Sequence, residues 1–268
     1  MMELNTSKCE VISVTRKRNR IVHQYKLNNS ILTPVEATKY LGVTITSDLN
    51  WNKHVDNVCQ KANNTLAFLR RNLHLNSPKL KTTAYRTLVR PLVEYASSVW
   101  DPSTARNISK IEMIQRRAAR YTLHRYRNTS SVSSMLQELG WPSLQQRREH
   151  LRLVMFYKIH TQLVPFNCEA FVTKSTRPSR GVNTHGYLIP QSRTQQHQNS
   201  FFPRTVISWN ALPDVVTASS VNAFRLLLTE GSNSYIRGSF YLHLVNYWHM
   251  HLTPMTHTIT KFCKNLQG

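Results

Sequence analysis

Acidic residues are scarce in this chain of 268 residues, which carries 13 Asp and Glu against 35 Lys and Arg. No two acids are adjacent and none forms an Asp-x-Asp pair, although nucleotide-adding enzymes hold two metal ions with clustered carboxylates. Glycine is also scarce, at 7 residues, and no Gly-rich phosphate-binding loop occurs. The sequence therefore predicts neither a two-metal active site nor a P-loop.

Cysteine pairs and long apolar segments are missing as well. The 4 cysteines are far apart and form no Cys-x-x-Cys motif, which argues against a disulfide framework or a zinc knuckle. No apolar run approaches the roughly 18 residues of a membrane span. The first residues contain no apolar signal-peptide core. We therefore expect no membrane association and an intracellular location, nuclear or cytoplasmic, rather than secretion.

Positive charge is what the chain has in excess. Its formal net charge of +22 would attract polyanions and makes nucleic acid the favoured partner. An acidic membrane surface would require a basic amphipathic helix or a lipid anchor. The basic residues are instead spread along the chain. RNA or an RNA–DNA hybrid is therefore the expected partner.

The apolar pattern changes from strand-like to helical near residue 50. Period-two and β-branched segments predict strands over 9–14, 21–27, 31–35 and 39–46. Apolar residues spaced by three and four then predict helices over 55–73, 78–99, 103–120, 131–139, 142–163 and 219–229. Pro91 should kink the second helix. The expected fold class is α+β, a small antiparallel sheet followed by a mainly helical region.

Several short segments of the chain form a recognisable series. They are Leu-Asn-Thr-Ser-Lys-Cys at 4–9, Lys-Tyr-Leu-Gly-Val at 39–43, Arg-Pro-Leu-Val-Glu-Tyr-Ala at 90–96, Ile-Gln-Arg-Arg-Ala-Ala-Arg at 114–120, Leu-Gly-Trp-Pro-Ser-Leu at 139–144 and Ser-Phe-Phe-Pro-Arg-Thr at 200–205. These segments resemble the end of the palm, the thumb and the C-terminal region of non-LTR (LINE-type, jockey-like) retrotransposon reverse transcriptases, and they follow one another in the order of that family.

The resemblance implies a domain order and a function. The family's catalytic Asp-Asp turn would precede residue 1, so the expected protein is a truncated, inactive reverse transcriptase fragment that retains template–primer binding. The family uses Mg²⁺, but its acidic ligands have no match here, so we expect no cofactor, no metal site and no catalytic residue. The implied parts are a palm remnant at 2–46, a thumb-like region at 47–127, a C-terminal helical region at 128–230 with a polar loop at 173–200, and an unassigned tail at 231–268.

The resemblance also implies contacts of the palm remnant with nucleic acid. Lys8 matches a family lysine near the leaving pyrophosphate, but without metal ions a solvated strand-end lysine is the favoured interpretation. Tyr40, Leu41 and Gly42 resemble the primer grip, and the alternative is an ordinary strand that packs on the first helix. Because the strands would lack their usual neighbours, the remnant could also self-associate through exposed edges.

Basic helix faces are the second set of candidates for phosphate contact. Arg116, Arg117 and Arg120 lie on one side of a helix whose other side is apolar, and such residues neutralise phosphates without reading sequence. Further residues could extend this surface, namely Lys79, Lys81, Arg86, Arg147 and Arg148. The alternative for each is a solvated charged face.

Two other functions stay open. The helical region could be a structural or protein-interaction module derived from a retroelement. Binding to RNA at low salt would distinguish the nucleic-acid-binding fragment from such a module. His54 and Asp56 match the beginning of the facial triad of metal-dependent oxygenases. That site would require a distal His and a β-barrel, whereas the local pattern is helical.

Overall fold

The computed structural model describes residues 5–15, 17–18, 23–73, 77–127, 129–175, 185–212 and 218–230. Most of these residues are helical and the strands are few and short, which confirms the predicted α+β class with its helical majority. The tail at 231–268 lies outside the described residues, as do residues 19–22, where the predicted basic turn meets the return strand. In the described part we find no helix with the length and apolar content needed to cross a bilayer.

Short strand pairs come first in the chain, each in its own two-stranded sheet. Two of the described pairs are antiparallel, in agreement with the predicted antiparallel sheet, while the first strand pairs in parallel with the fourth. The strands are β1 (Glu10–Val11), β2 (Lys26–Leu27), β3 (Ser30–Ile31), β4 (Thr33–Pro34), β5 (Ala37–Tyr40) and β6 (Val43–Thr46).

The segment predicted as one strand at 39–46 is instead a hairpin. Leu41 and Gly42 form its turn, with φ angles of 46° and 85°, and two consecutive positive φ angles match the twist of a two-residue hairpin. Glycine is required at the second position, because a Cβ on Gly42 would lie 3.1 Å from Cε1 of Tyr95. The turn therefore rests directly on a tyrosine of the helical region.

The helices follow the predicted order. Local signals predicted several of them correctly. These signals are amphipathic spacing, Pro78 at a helix start and Ser131 at an N-cap. The helices are α1 (Asn52–Asn72), α2 (Pro78–Ala84), α3 (Arg90–Glu94), α4 (Ser97–Trp100), α5 (Ala105–Leu123), α6 (Val132–Glu138), α7 (Leu144–His160), α8 (Gln195–Gln198), α9 (Phe201–Asn210) and α10 (Val221–Glu230).

The second predicted helix is interrupted rather than merely kinked. A π-helical turn over 85–89 precedes Pro91, which has no backbone N–H to donate. The chain then breaks at Ala96, where φ is 52°. Ser143, not Pro142, is the residue before α7, and its hydroxyl accepts the N–H of Gln146. Helix α9 was not predicted.

The first apolar core lies between the hairpin, α1, the interrupted helix and α5. Val55, Trp100 and Ile111 are fully buried in it, and Leu144 at the start of α7 joins them. Trp141 also belongs to this core and is 7% exposed.

A second apolar core forms around α7, α9 and α10. Phe156 packs edge-on against Trp209, and Tyr157 stacks on Phe224 at 4.4 Å between ring centroids. Helix α7 contributes to both cores, with Leu144 in the first and its C-terminal half in the second. It therefore joins the two halves of the described structure.

Candidate nucleic-acid interface

Helices α1 and α5 run side by side in the same direction. Asn107 Nδ2 donates to Asn52 Oδ1 at 2.8 Å, and eleven residues further along α1 Arg117 Nη1 donates to Asn63 Oδ1 at 2.7 Å. The sequence separations of these pairs are 55 and 54 residues, so the two helices are parallel and in register. The two helices thus present one continuous outer surface to solvent, which we call the α1–α5 face.

This face is rich in cations. The sequences of the two helices contain nine Lys and Arg against two acids. With 100° between successive helical residues, several of the cations fall on the side opposite the apolar core. The exposed cations of the two helices are Lys53, Lys61, Arg70, Arg71, Arg106, Arg116 and Arg117, and Lys110 and Arg120 are half-buried.

The two acids of these helices are already engaged. Asp56 lies 2.5 Å from Lys110 Nζ, so it balances one lysine of the same surface. Glu112 is turned toward α7, where its carboxylate accepts the N–H groups of Leu144 and Gln145 at 3.2 and 2.7 Å. Among the described residues Arg116 and Arg117 form no ion pair, although Arg117 bonds to an amide. The positive potential of the face is therefore largely uncompensated.

An aromatic side chain lies at the C-terminal end of the face. Tyr126 is 50% exposed, and the guanidinium of Arg70 is 5.7 Å from its ring centroid. Tyr121, the tyrosine in the last turn of α5, is instead buried, and its hydroxyl donates to the carbonyls of Leu69 and Leu73. Tyr126 alone of the two is accessible to a base.

Arg147 and Arg148 were predicted as surface cations, and this is wrong. Arg147 forms a two-pronged pair with Glu94, with Nη2 to Oε2 at 3.0 Å. Arg148 is fully buried, and its Nε donates to Asp101 Oδ1 at 2.8 Å. Their acidic partners lie 53 and 47 residues away, so no local pattern could show that these arginines fold inward.

Asp101 is the centre of a larger buried charge cluster. Besides Arg148 it binds Arg152 through Oδ2 at 2.5 Å, and Arg204 at 3.2 Å. The Asp101 carboxylate thus holds guanidinium groups from α7 and α9 at the end of α4. Burial lowers the pKa of Arg152, while Asp101 acts in the opposite direction. No local pattern indicates this cluster, since its acid is isolated in the sequence.

Lys81 is likewise not a surface cation. It is 1% exposed, its Nζ lies 4.9 Å from the ring centroid of Tyr121, and it contacts Nε2 of His124. Burial lowers the pKa of this amine. Lys79 is exposed and Arg86 is half-buried. The predicted extension through residues 79, 81 and 86 is therefore not a continuous basic surface.

The palm-like candidates are accessible. Lys8 is exposed at the end of a short 3-10 turn that precedes β1. Tyr40 and Leu41 are 50% and 40% exposed at the hairpin turn, and Leu41 O accepts the hydroxyl of Tyr95 at 3.2 Å. The hairpin contacts α1 through Val43, as the ordinary-strand alternative predicted, while its tip projects outward.

His54 and Asp56 do not converge on a metal position. His54 is 2% exposed and its Nδ1 accepts the N–H of Thr44 at 3.1 Å, whereas Asp56 is exposed and pairs with Lys110. Burial, with Lys61 as a second cause, lowers the pKa of His54 to about 4. Within the described ranges, no group of three His, Cys, Asp or Glu side chains could hold a metal ion.

Sequence reasoning missed part of the α1–α5 face. Lys53, Arg70, Arg71 and Arg106 belong to it because α1 lies parallel to α5. Periodicity within α1 could show that these side chains are solvated, but not which helix lies beside them.

Comparisons of the chain with protein-family models, with curated proteins and with solved structures found no match.

Proposed function

We propose that this protein binds RNA or an RNA–DNA hybrid through the α1–α5 face, as a thumb-like part of a non-LTR retrotransposon reverse transcriptase that does not itself catalyse polymerisation. The observation that carries the proposal is the charge of this face. Nine cations accompany two acids, one of which is turned toward α7. Such a surface binds phosphates and releases their counterions.

The shape of the face supports contact with an extended backbone. Helix α1 has 21 residues, and at about 1.5 Å per residue it is roughly 31 Å long. Exposed cations occur from Lys53 near its beginning to Arg71 near its end. Binding should depend strongly on salt and weakly on base sequence, because the contacts are to phosphates.

A double substitution tests the proposal. Arg116→Ala with Arg117→Ala should reduce the slope of log K against log salt by about 1.4 on single-stranded RNA or about 1.8 on a duplex, since two phosphate contacts are lost. Fluorescence anisotropy with a labelled RNA and the matching RNA–DNA hybrid, from about 50 to 200 mM salt, measures this slope.

The matched control variant removes two positive charges from outside the α1–α5 face. Lys174 and Arg193 are exposed cations outside the α1–α5 face. Their replacement by Ala should change the slope far less. Equal effects of the two double variants would refute the assignment to this face, and no binding at about 50 mM salt would favour the protein-interaction alternative.

The absence of catalysis is a separate part of the proposal. It rests on the sequence, which contains no adjacent acids and no Asp-x-Asp pair. A primer-extension assay on an RNA template with Mg²⁺ or Mn²⁺ should give no product. Template-dependent incorporation by the purified protein would refute this part and leave the binding assignment intact.

A further inference from the structure

The segment between α5 and α6 carries a charge pattern that occurs once in the chain. Arg125 and Arg127 precede Ser130 by five and three residues, in the form Arg-x-Arg-x-x-Ser. One class of protein kinases selects serines in this pattern, because acidic side chains of the substrate groove pair with the two guanidinium groups. The pattern therefore indicates a serine that such a kinase can phosphorylate.

The backbone of this segment is open to an enzyme. Helix α5 ends where His124 takes a left-handed φ of 54°, and Ser131 caps the start of α6. The described residues of 125–131 belong to no helix or strand, and all of them except the half-buried Ser130 are exposed. An enzyme that binds its substrate as an extended chain can engage such a segment without unfolding a helix.

A second serine has part of the same pattern in a different setting. Arg106 precedes Ser109 by three residues, and the shorter form Arg-x-x-Ser occurs only at Ser109 and Ser130. Ser109 is also exposed, but it lies within α5 and has no arginine five residues before it. A kinase would have to unfold part of α5 to reach it in extended form. Ser109 is therefore an internal control for Ser130.

The segment is attached to the C-terminal end of the α1–α5 face. The N–H of Arg125 donates to Arg120 O at 3.2 Å. The next residue, Tyr126, lies with its ring centroid 5.7 Å from the guanidinium of Arg70. Both contacts join the segment to cations of the face.

Ser130 lies close to these contacts. Four extended residues span at most about 14 Å, and the stretch from Tyr126 is shorter, because the N–H of Ser130 donates to Arg127 O at 3.1 Å and turns the chain back. Salt at about 0.1 M screens exposed charges over about 10 Å. A charge on Ser130 therefore acts on this end of the face.

A phosphate on Ser130 would be the dominant anion of this region. It carries about −1.5 to −2 charges at pH 7. Among the described residues Arg127 forms no ion pair, and Arg125 pairs only with the exposed Glu138. The phosphate can therefore pair with Arg127 and would offset about two of the nearby cations.

We propose that Ser130 is a phosphorylation site through which an arginine-directed serine kinase weakens the binding of RNA to the α1–α5 face. The Oγ atom of Ser130 bonds to the γ-phosphorus of ATP, the bond from that phosphorus to the bridging oxygen breaks, ADP leaves and the hydroxyl proton is released. The effect on RNA rests on the proposed function, whereas the modification itself does not.

Mass spectrometry of the full chain tests the modification. The chain is treated with ATP and a purified kinase that requires arginine at the third and fifth positions before serine. We expect one phosphate at Ser130, which is absent from Ser130→Ala and retained in Ser109→Ala. Arg125→Ala with Arg127→Ala should slow incorporation about tenfold or more, because two charge-assisted contacts with the kinase are lost. No phosphate at Ser130, or equal incorporation at Ser109, would overturn the proposal.

Fluorescence anisotropy with a labelled RNA measures the effect on binding. At about 100 mM salt the phosphorylated protein should bind about tenfold more weakly than the untreated protein, and a phosphatase should restore the affinity. Ser130→Ala, treated with the kinase in the same way, should bind as the untreated protein does. Unchanged affinity after phosphorylation would overturn the regulatory part of the proposal.

Failure of this inference and failure of the proposed function are distinguishable. If the untreated protein does not bind RNA, the proposed function is wrong and the regulatory effect is overturned with it. The mass measurement needs no RNA, so it still decides whether Ser130 is a phosphorylation site.

Discussion

Replacement of His54 by Asn is expected to make folding less sensitive to acid. His54 is buried beneath the hairpin, where its Nδ1 accepts the N–H of Thr44 at 3.1 Å. Because Nδ1 must be unprotonated to accept this hydrogen bond, the folded protein favours the neutral imidazole. Burial, together with nearby Lys61, lowers the pKa of His54 from 6.5 to about 4. Between these pH values the unfolded chain binds a proton that the folded protein excludes.

The sign and size of the effect follow from this difference. Because the pKa is lower in the folded state, stability decreases as the pH falls from 6.5 towards 4. Linkage between pKa values of about 6.5 and about 4 gives a loss of about 2 kcal/mol from pH 7 to pH 5 and about 3 kcal/mol by pH 4. A loss of this size is a large part of the stability of an ordinary domain.

Urea unfolding of the wild type and His54→Asn at pH 7 and pH 5 measures the effect. Asn retains an oxygen that can accept the N–H of Thr44 but does not titrate. Half-buried His150 and His160, whose pKa values are also lowered, act in the same direction and stay in both proteins. His23→Asn, at an exposed position, is the control and should behave as the wild type.

If His54→Asn loses as much free energy of unfolding between the two pH values as the wild type does, the reasoning is wrong. The reasoning is also wrong if His23→Asn and His54→Asn reduce the pH-dependent loss of unfolding free energy by the same amount.

Two further predictions concern buried charges. Asp101→Asn should lower the free energy of unfolding by about 3–5 kcal/mol, because three guanidinium groups lose their counter-charge. Glu138→Gln, at an exposed pair with Arg125, should lower it by less than about 1 kcal/mol, and equal losses in urea unfolding would contradict the burial argument. Lys81→Met should leave stability unchanged or raise it by roughly 1–2 kcal/mol, since a desolvated ammonium is removed. A clear fall in the thermal midpoint of that variant would indicate that the contact with His124 is stabilising.

Local signals account for the parts of the fold that the sequence predicted correctly. Helix α1 was recognised because Val55, Ala62 and Leu66 repeat at helical spacing, and all three are buried. Helix α6 was recognised because Ser131 can cap it and Gly140, with φ at 60°, can end it. Each of these signals lies within the helix it predicts or directly beside it.

Non-local contacts account for the errors. Phe201, Phe202 and Pro203 are all buried, so α9 has little amphipathic pattern at its start and was not recognised. The strand predicted at 39–46 is part of a hairpin, because Leu41 is a poor turn residue and gives no local turn signal. Leu41 has a positive φ, and its carbonyl accepts the hydroxyl of Tyr95. Tertiary packing overrides local preference at such positions.

In the candidate interface, too, local patterns predicted some residues correctly, and distant contacts determine the others. Arg116 and Arg117 were correctly predicted to be exposed, because the apolar residues of α5 define its buried side. Arg148 also follows helical spacing, but one carboxylate distant in sequence draws it inward. Two buried acids, Glu94 and Asp101, thus determine which of these arginines leave the surface.

The parallel pairing of α1 and α5 has a consequence for synthesis. Every hydrogen bond between these helices joins residues 52–55 positions apart in the sequence. At translation rates of roughly 5–20 residues per second, α1 leaves the ribosome about 3–10 s before α5 does. During that interval the side of α1 that packs against α5 is exposed to solvent in the nascent chain.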